Sequence, residues 1–390
     1  MSYRLDLKTG YPSTTIAPLD RLSAIASEVI ASGRGFQYGG DLRGHEGARA
    51  QIARYLTEVM HMPAESSHLM LTTGALTAID IVCRTLTEPG DLVVVEDPTF
   101  FFAVDLLRMS RAQVVGVPML ADGLDLDALD RLIAANPGRV KLVYTIPSFQ
   151  NPTGYTMSDA KRAGLAKMAL EHDFYILEDA TYEPLYFSTP PPPPLKTYDA
   201  GQGRVIVVAS MSKVLMPSLR LGWIWANPAQ MNAFLRYKSD AASSRLTAEI
   251  LTDFMSDGHF MDQVTRVREV YARKHDALVA TLRANAPEWL SWHAPGGGFF
   301  IWATLPKTMT AQAVIERAHE REVDVFSGRA SYVSPLDDRS LRLCFALLDE
   351  SALCEAGQTL CEVITEIGSK SLGTQPGETR RQRRGPRCEG

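Results

Sequence analysis

Cysteine is scarce and irregularly placed. Cys83, Cys344, Cys354, Cys361 and Cys388 are the five present and show no metal-ligand spacing, which argues against both a disulfide framework and a bound metal such as zinc. Reduced thiols are expected. No uninterrupted apolar run is long enough to cross a bilayer, and the opening Met-Ser-Tyr-Arg-Leu-Asp-Leu-Lys lacks the apolar stretch of a secretory signal. A cytoplasmic protein with no membrane partner is expected. The chain also lacks a strong excess of one charge, since a net charge of -5 provides no electrostatic footprint for nucleic acid. The exception is Thr379-Arg-Arg-Gln-Arg-Arg-Gly-Pro-Arg387, basic and without apolar periodicity, which reads as part of a disordered tail over 369–390.

Apolar material is plentiful. Of 390 residues 45% are hydrophobic, enough to bury a large core and suited to one large domain with a smaller one beside it. Early in the chain, helices are expected over about 19–32 and 46–60, separated by the glycine-rich Phe36-Gln-Tyr-Gly-Gly-Asp-Leu-Arg-Gly44 with Tyr38 in it. From His68 the pattern changes to alternating strands and helices, the mark of a mostly parallel sheet with helices on both faces. Strands are read at 68–73, 92–96, 114–117, 142–145, 174–178 and 205–209, and helices at 75–86 and 158–172. Five successive prolines, Pro190 to Pro194, mark an exposed stiff loop. Long helices follow over about 228–256 and 262–284. The remainder, to about 367, mixes strands at 296–302 and 341–345 with a helix near 311–321, as a small α+β domain does.

Chemistry-bearing residues gather where the strands end. Val205-Ile-Val-Val-Ala209 delivers Ser210-Met-Ser-Lys213, with Arg220 seven residues on; two hydroxyls, an amine and a guanidinium suit a ligand carrying an aldehyde and a phosphate. Ser-x-Ser-Lys by itself fits a surface loop equally well. Gly74 turns the chain into the helix of Ala75 and Leu76, leaving N–H groups at a helix start that bind an anion or simply close a tight turn. The run Phe100-Phe-Phe102 is either core or a platform for a flat ring. Asn151 sits in a turn stiffened by two prolines and a glycine. Asp179 and Tyr182 follow the strand at 174–178, at the edge where open parallel sheets bind ligands, although an aspartate there also serves as a cap. Arg342 alternates with Leu341 and Leu343, so a half-buried guanidinium requires an anionic partner from the protein or from a ligand.

In this order, Asn-Pro-Thr-Gly at 151–154, Asp179 with Tyr182, Ser-x-Ser-Lys at 210–213, Arg220, and Arg342 in Arg-Leu-x-Phe resemble a class I aminotransferase of fold type I dependent on pyridoxal 5'-phosphate. The resemblance lies in the kynurenine and 2-aminoadipate aminotransferase branch and spans about 6–367. It implies a large domain built on a mostly parallel, mixed seven-stranded sheet between helices, plus a small α+β domain. The corresponding division is 1–35 (contributing to the small domain), 36–270 (large, cofactor-binding) and 271–368 (small). It implies that Lys213 holds the cofactor as a Schiff base and then moves a proton, that Asp179 pairs with the ring nitrogen, and that Asn151 and Tyr182 hydrogen-bond the ring O3′. Ser210, Ser212, Arg220 and the N–H groups of Ala75 and Leu76 would cradle the phosphate while Phe100 stacks on the ring. Arg342, with Asn151 and the backbone of Gly10, would take the carboxylate of amino acid and 2-oxo acid substrates. Tyr38 would reach the partner's cofactor in a homodimer.

Two departures stand out. Phe100 occupies a position usually held by tyrosine, and the phosphate turn Gly-Ala-Leu-Thr is poor in side-chain donors. A cyclase, lyase or oxidase of an amino acid is the alternative reaction on such a scaffold. A transcription regulator with this domain behind a DNA-binding module is not expected, because the family-like region starts within the first ten residues. Retention of Lys213 and Asp179 opposes a catalytically dead homologue. Side-chain selectivity is expected from loops near 11–16 and 329–335.

Overall fold

The computed structural model describes residues 5–371, apart from 39, 241, 257 and 335–337. The basic segment 379–387 and nearly all of the expected tail lie outside the described residues, as does Pro335. Strand β1 (Leu5–Asp6) and helices α1 (Leu19–Ala31) and α2 (Glu46–Glu58) precede β2 (Leu69–Thr72). Next come α3 (Ala75–Leu86), β3 (Leu92–Asp97), α4 (Phe101–Met109), β4 (Gln113–Leu120), β5 (Gly123–Leu124) and α5 (Leu126–Ala135). They are followed by β6 (Val140–Thr145), α6 (Asp159–Glu171), β7 (Tyr175–Asp179), β8 (Val205–Ser210) and β9 (Gly222–Trp225). After α7 (Pro228–Phe234), α8 (Arg245–Ser256) and α9 (His259–Asn285) come β10 (Ser291–His293), β11 (Phe300–Thr304) and α10 (Ala311–His319). The chain then forms β12 (Val323–Asp324), β13 (Phe326–Ser327), β14 (Ser340–Cys344) and α11 (Glu350–Ser371).

The main sheet has the order β2-β9-β8-β7-β6-β3-β4-β5. β3 pairs in parallel with β4 and β6, β6 with β7, and β7 with β8, whereas β9 runs antiparallel to both β8 and β2. β2 therefore points the same way as β8, and the C-terminal ends of β2, β3, β6, β7 and β8 share one edge. Val205–Ser210 is buried throughout, as expected of a strand covered on both faces. The sheet has eight strands rather than the expected seven. The eighth, β5, is two residues long and folds back on β4 through Ala121-Asp122, a two-residue hairpin that the chain leaves at Gly123, at φ 114°.

A second sheet, β10-β11-β14-β13, is antiparallel throughout, and β1 pairs in parallel with β12. The expected single helix over 228–256 is broken between α7 and α8. Polar residues from Ser239 to Ser244 compete for the backbone there: Asp240 Oδ1 accepts from Ala242 N–H at 3.3 Å and Ser244 Oγ from Thr247 N–H at 3.3 Å. Helices α4 and α5 were not among the expected elements. Phe100-Phe-Phe102 masks the start of α4, whose helical spacing emerges only in buried Ala103, Val104 and Leu107.

Candidate active site

The shared sheet edge opens into a cavity of about 280 Å³. Every expected site residue except Tyr38 lines it: Gly10, Ala75, Leu76, Phe100, Asn151, Asp179, Tyr182, Ser210, Ser212, Lys213, Arg220 and Arg342. Tyr38 is fully exposed, at 101%.

One end of the cavity is a cluster of donors. Helix α3 starts at Gly74, at φ 91° and without a side-chain cap, so its first N–H groups are left to the cavity. Close packing is needed here: a Cβ on Gly222 of β9 would lie 2.6 Å from the Gly74 carbonyl carbon, and one on Gly74 would lie 2.9 Å from Arg220 Nη2. Arg220, in the left-handed region at φ 48°, donates to Thr73 O at 2.8 Å. Ser210 Oγ and Ser212 Oγ are 2.8 Å apart. The resulting set of backbone N–H groups, two hydroxyls and a guanidinium matches a phosphate.

Lys213 ends a 3-10 turn directly after β8. Its Nζ donates to Gly10 O at 2.8 Å and lies 5.5 Å from the Phe299 ring centre. Burial pushes the amine down to about 8; Arg342 and Arg220 act in the same direction, while Cys344 and Asp179 oppose it. Asp179, at the end of β7, is buried, accepting from Tyr144 Oη at 3.0 Å and Thr181 N–H at 3.1 Å. Burial raises this carboxyl, opposed by those hydrogen bonds and by the Lys213 charge. Tyr182 packs edge-on to Phe299 and Phe300, with ring centres 5.4 and 5.8 Å away, and burial raises its hydroxyl.

Arg342 is fully buried rather than half-buried, at 4% exposed, because Phe300 and Phe326 cover its own face of β14. Its guanidinium lies between two rings, 4.3 Å from the Phe300 centre and 4.2 Å from that of Phe326. Phe326 is its register partner across β13, and Phe300 lies diagonally across on β11. Nη1 donates to Asn151 Oδ1 at 3.0 Å and Nη2 to Lys8 O at 2.8 Å, whereas Nε is buried with no partner. Among the described residues no carboxylate forms an ion pair with it. A buried guanidinium held by neutral oxygens suits an incoming carboxylate.

Residues 5–360 match the family model described as aminotransferase class I and II. The chain belongs to that family. It is 30% identical to aromatic-amino-acid aminotransferase 1 of Thermococcus litoralis, over 93% of this chain and 88% of the relative. It is 29% identical to 2-aminoadipate transaminase of Thermus thermophilus, over 91% of this chain and 89% of the relative. Among solved structures it resembles Pyrococcus horikoshii kynurenine aminotransferase, with a TM-score of 0.89, 29% identity and coverage of 94% and 92%. The fold is fold type I, and the protein is a pyridoxal-phosphate-dependent aminotransferase. The cavity fits that cofactor on its own chemistry: a buried amine of lowered pKa, a buried carboxylate and a phosphate cradle open into one space lined by Phe100.

Sequence reasoning missed Tyr144, Phe300 and Phe326. Tyr144 is a polar aromatic that follows the apolar Leu142-Val143 in its strand, a signal that a buried hydroxyl needs a partner. The two phenylalanines carry no such mark, since their contact with Arg342 depends on strand register.

Proposed function

We propose that this aminotransferase transfers the amino group of an L-amino acid to a 2-oxo acid with Lys213 as the covalent and proton-moving residue. The observation that carries the reading is the buried Arg342, sandwiched by Phe300 and Phe326 and without a carboxylate partner among the described residues, in the same cavity as Lys213. When bound, pyridoxal phosphate supplies a carbonyl that condenses with amines and a ring that takes up the electron pair left on the substrate Cα. Lys213 would hold the cofactor covalently and, once freed by the substrate amine, would carry the proton from Cα. Asp179 would pair with the ring nitrogen and keep its proton in place. Asn151 and Tyr182 would bind the ring O3′, and Phe100 would stack on the ring. Ser210, Ser212, Arg220 and the N–H groups of Ala75 and Leu76 would hold the phosphate. Arg342 and Gly10 orient the substrate carboxylate.

An aromatic donor is supported by Tyr11, Phe101, Phe102 and Phe300 in the cavity wall and by the aromatic-amino-acid relative. A screen of amino acids for bleaching of the lysine-bound cofactor identifies the donor. Single-turnover mixing with that donor, in the absence of any oxo acid, should release one equivalent of oxo acid and stop. Repeated turnover under those conditions would instead indicate a cyclase, lyase or oxidase.

The division into 36–270 and 1–35 with 271–368 is supported by the two separate sheets and by β1 pairing with β12. The 270/271 boundary falls inside α9. A cytoplasmic location is supported by Cys83, Cys344 and Cys361, which are not joined in disulfides. A homodimer, with Tyr38 reaching the partner's cofactor phosphate, is supported by the exposed Phe36 and Tyr38, at 93% and 101%. Tyr38→Phe should then weaken cofactor retention about tenfold, as expected for losing one hydrogen bond to a charged group. Equilibrium dialysis and sedimentation check this, and an active monomer contradicts it.

A further inference from the structure

Register separates the ends of the central strands into two faces. Val95 pairs with Tyr144 and Tyr144 with Leu177, while Thr145 pairs with Glu178. Successive side chains alternate, so Tyr144 lies on the same face as Asp179 while Glu96 and Thr145 lie on the opposite face. Glu96 is thus behind the cavity, and it is fully buried.

Its carboxylate accepts from Thr145 Oγ1, from Ile146 N–H at 3.2 Å and from Gln150 Nε2 at 2.9 Å. Among the described residues no cation pairs with it, and the charge of another carboxylate, Asp179, acts to raise it further. Burial pushes the Glu96 carboxyl up to about 7 despite the donors around it. A buried carboxylate without a cation is destabilising unless it is fully hydrogen-bonded, and here each of those donors belongs to the 145–150 segment leading to Asn151. Gln150 extends the grip: Nε2 also donates to Pro98 O at 2.9 Å, and Oε1 accepts from Thr153 N–H at 2.9 Å and Thr153 Oγ1 at 2.7 Å. The loop is therefore held on both sides of Asn151, whose Oδ1 accepts from Arg342.

We propose that Glu96 is a positioning residue for substrate-carboxylate recognition, acting through Gln150 to fix the Asn151 amide that orients Arg342. The proposal rests on the aminotransferase reading of the cavity. Glutamate is required because each partner of this carboxylate donates. A glutamine at 96 would turn an NH2 toward a donor, either Gln150 Nε2 or the Thr145 and Ile146 pair. Gln150 would have to turn over, which would set its oxygen against Pro98 O and its NH2 against the Thr153 N–H.

The test compares Glu96→Gln and Gln150→Ala. With the donor amino acid that the wild type accepts, Glu96→Gln should raise KM about tenfold or more and change kcat far less. That split marks loss of binding that is equal in ground and transition states. Crystal structures of the cofactor-free proteins supply a readout independent of turnover: the Asn151–Arg342 hydrogen bond should be broken in Glu96→Gln. If Glu96→Gln does not accumulate as folded protein, Gln150→Ala, which leaves the bonds of Glu96 to Thr145 and Ile146 in place, carries the same expectation. A folded variant that keeps the Asn151–Arg342 bond, or whose KM stays within about twofold of wild type, overturns the proposal even if its melting temperature falls. Failure of the wild type to release oxo acid rejects the aminotransferase reading instead.

Discussion

Lys213→Ala should remove covalent capture of the cofactor and lower turnover by about 10⁴-fold or more, the upper range for a positioned acid–base group that is also the nucleophile. The fold should survive. The Lys213 amine makes one hydrogen bond, to Gly10 O, and burial disfavours its charged form, so deleting it costs packing little. Borohydride reduction followed by peptide mapping should find the wild-type cofactor on Lys213; recovery on another lysine rejects the assignment. The same residue predicts a pH dependence. The neutral amine is the nucleophile, and with its pKa lowered to about 8 its neutral fraction near pH 7.5 exceeds that of an ordinary lysine by about a hundredfold or more. Capture of added pyridoxal phosphate by the cofactor-free protein should therefore quicken as pH rises and level off above about pH 8. A rate that keeps climbing to pH 10 would indicate an unperturbed amine.

How much of this was legible beforehand depends on what fixes each residue. Lys213, Asp179, Asn151 and Arg342 were legible because each is a reactive or charged group beside an apolar strand or a stiff turn, and the parallel sheet brings such ends to one edge. The cradle at Ala75 and Leu76 was legible as a glycine turn before a helix, although Gly222, whose missing side chain lets β9 approach that turn, gave no sign of its part. Glu96 and Tyr144 are neighbours in space on opposite faces of the sheet, and only strand register reveals which of them meets Asp179. Phe326 joins Arg342 from a two-residue strand too short to announce itself by periodicity. Tyr38 was singled out by resemblance alone; in the single chain it touches none of the cavity.

Asp179→Asn is the sharper test of how the cavity does its chemistry, because the substitution keeps the shape and removes only the charge. In the wild type the carboxylate is held by Tyr144 Oη and Thr181 N–H, and an asparagine can keep both contacts: its oxygen accepts from Thr181 while its NH2 donates to the Tyr144 oxygen. The variant should fold and retain cofactor through Lys213 and the phosphate cradle. Its neutral amide cannot balance a protonated ring nitrogen, so proton removal from the substrate Cα should slow by about 10²–10³-fold, the scale seen when one preorganised electrostatic partner of a transition state is lost. Tyr144→Phe provides the control. It leaves the charge in place and deletes one hydrogen bond, so it should slow the same step by about tenfold, the effect of losing a single bond to a charged group. Single-turnover release of oxo acid measures both variants. If Asp179→Asn and Tyr144→Phe lose activity equally, Asp179 acts through the geometry of its hydrogen bonds; a loss at least tenfold greater in Asp179→Asn assigns the effect to its charge.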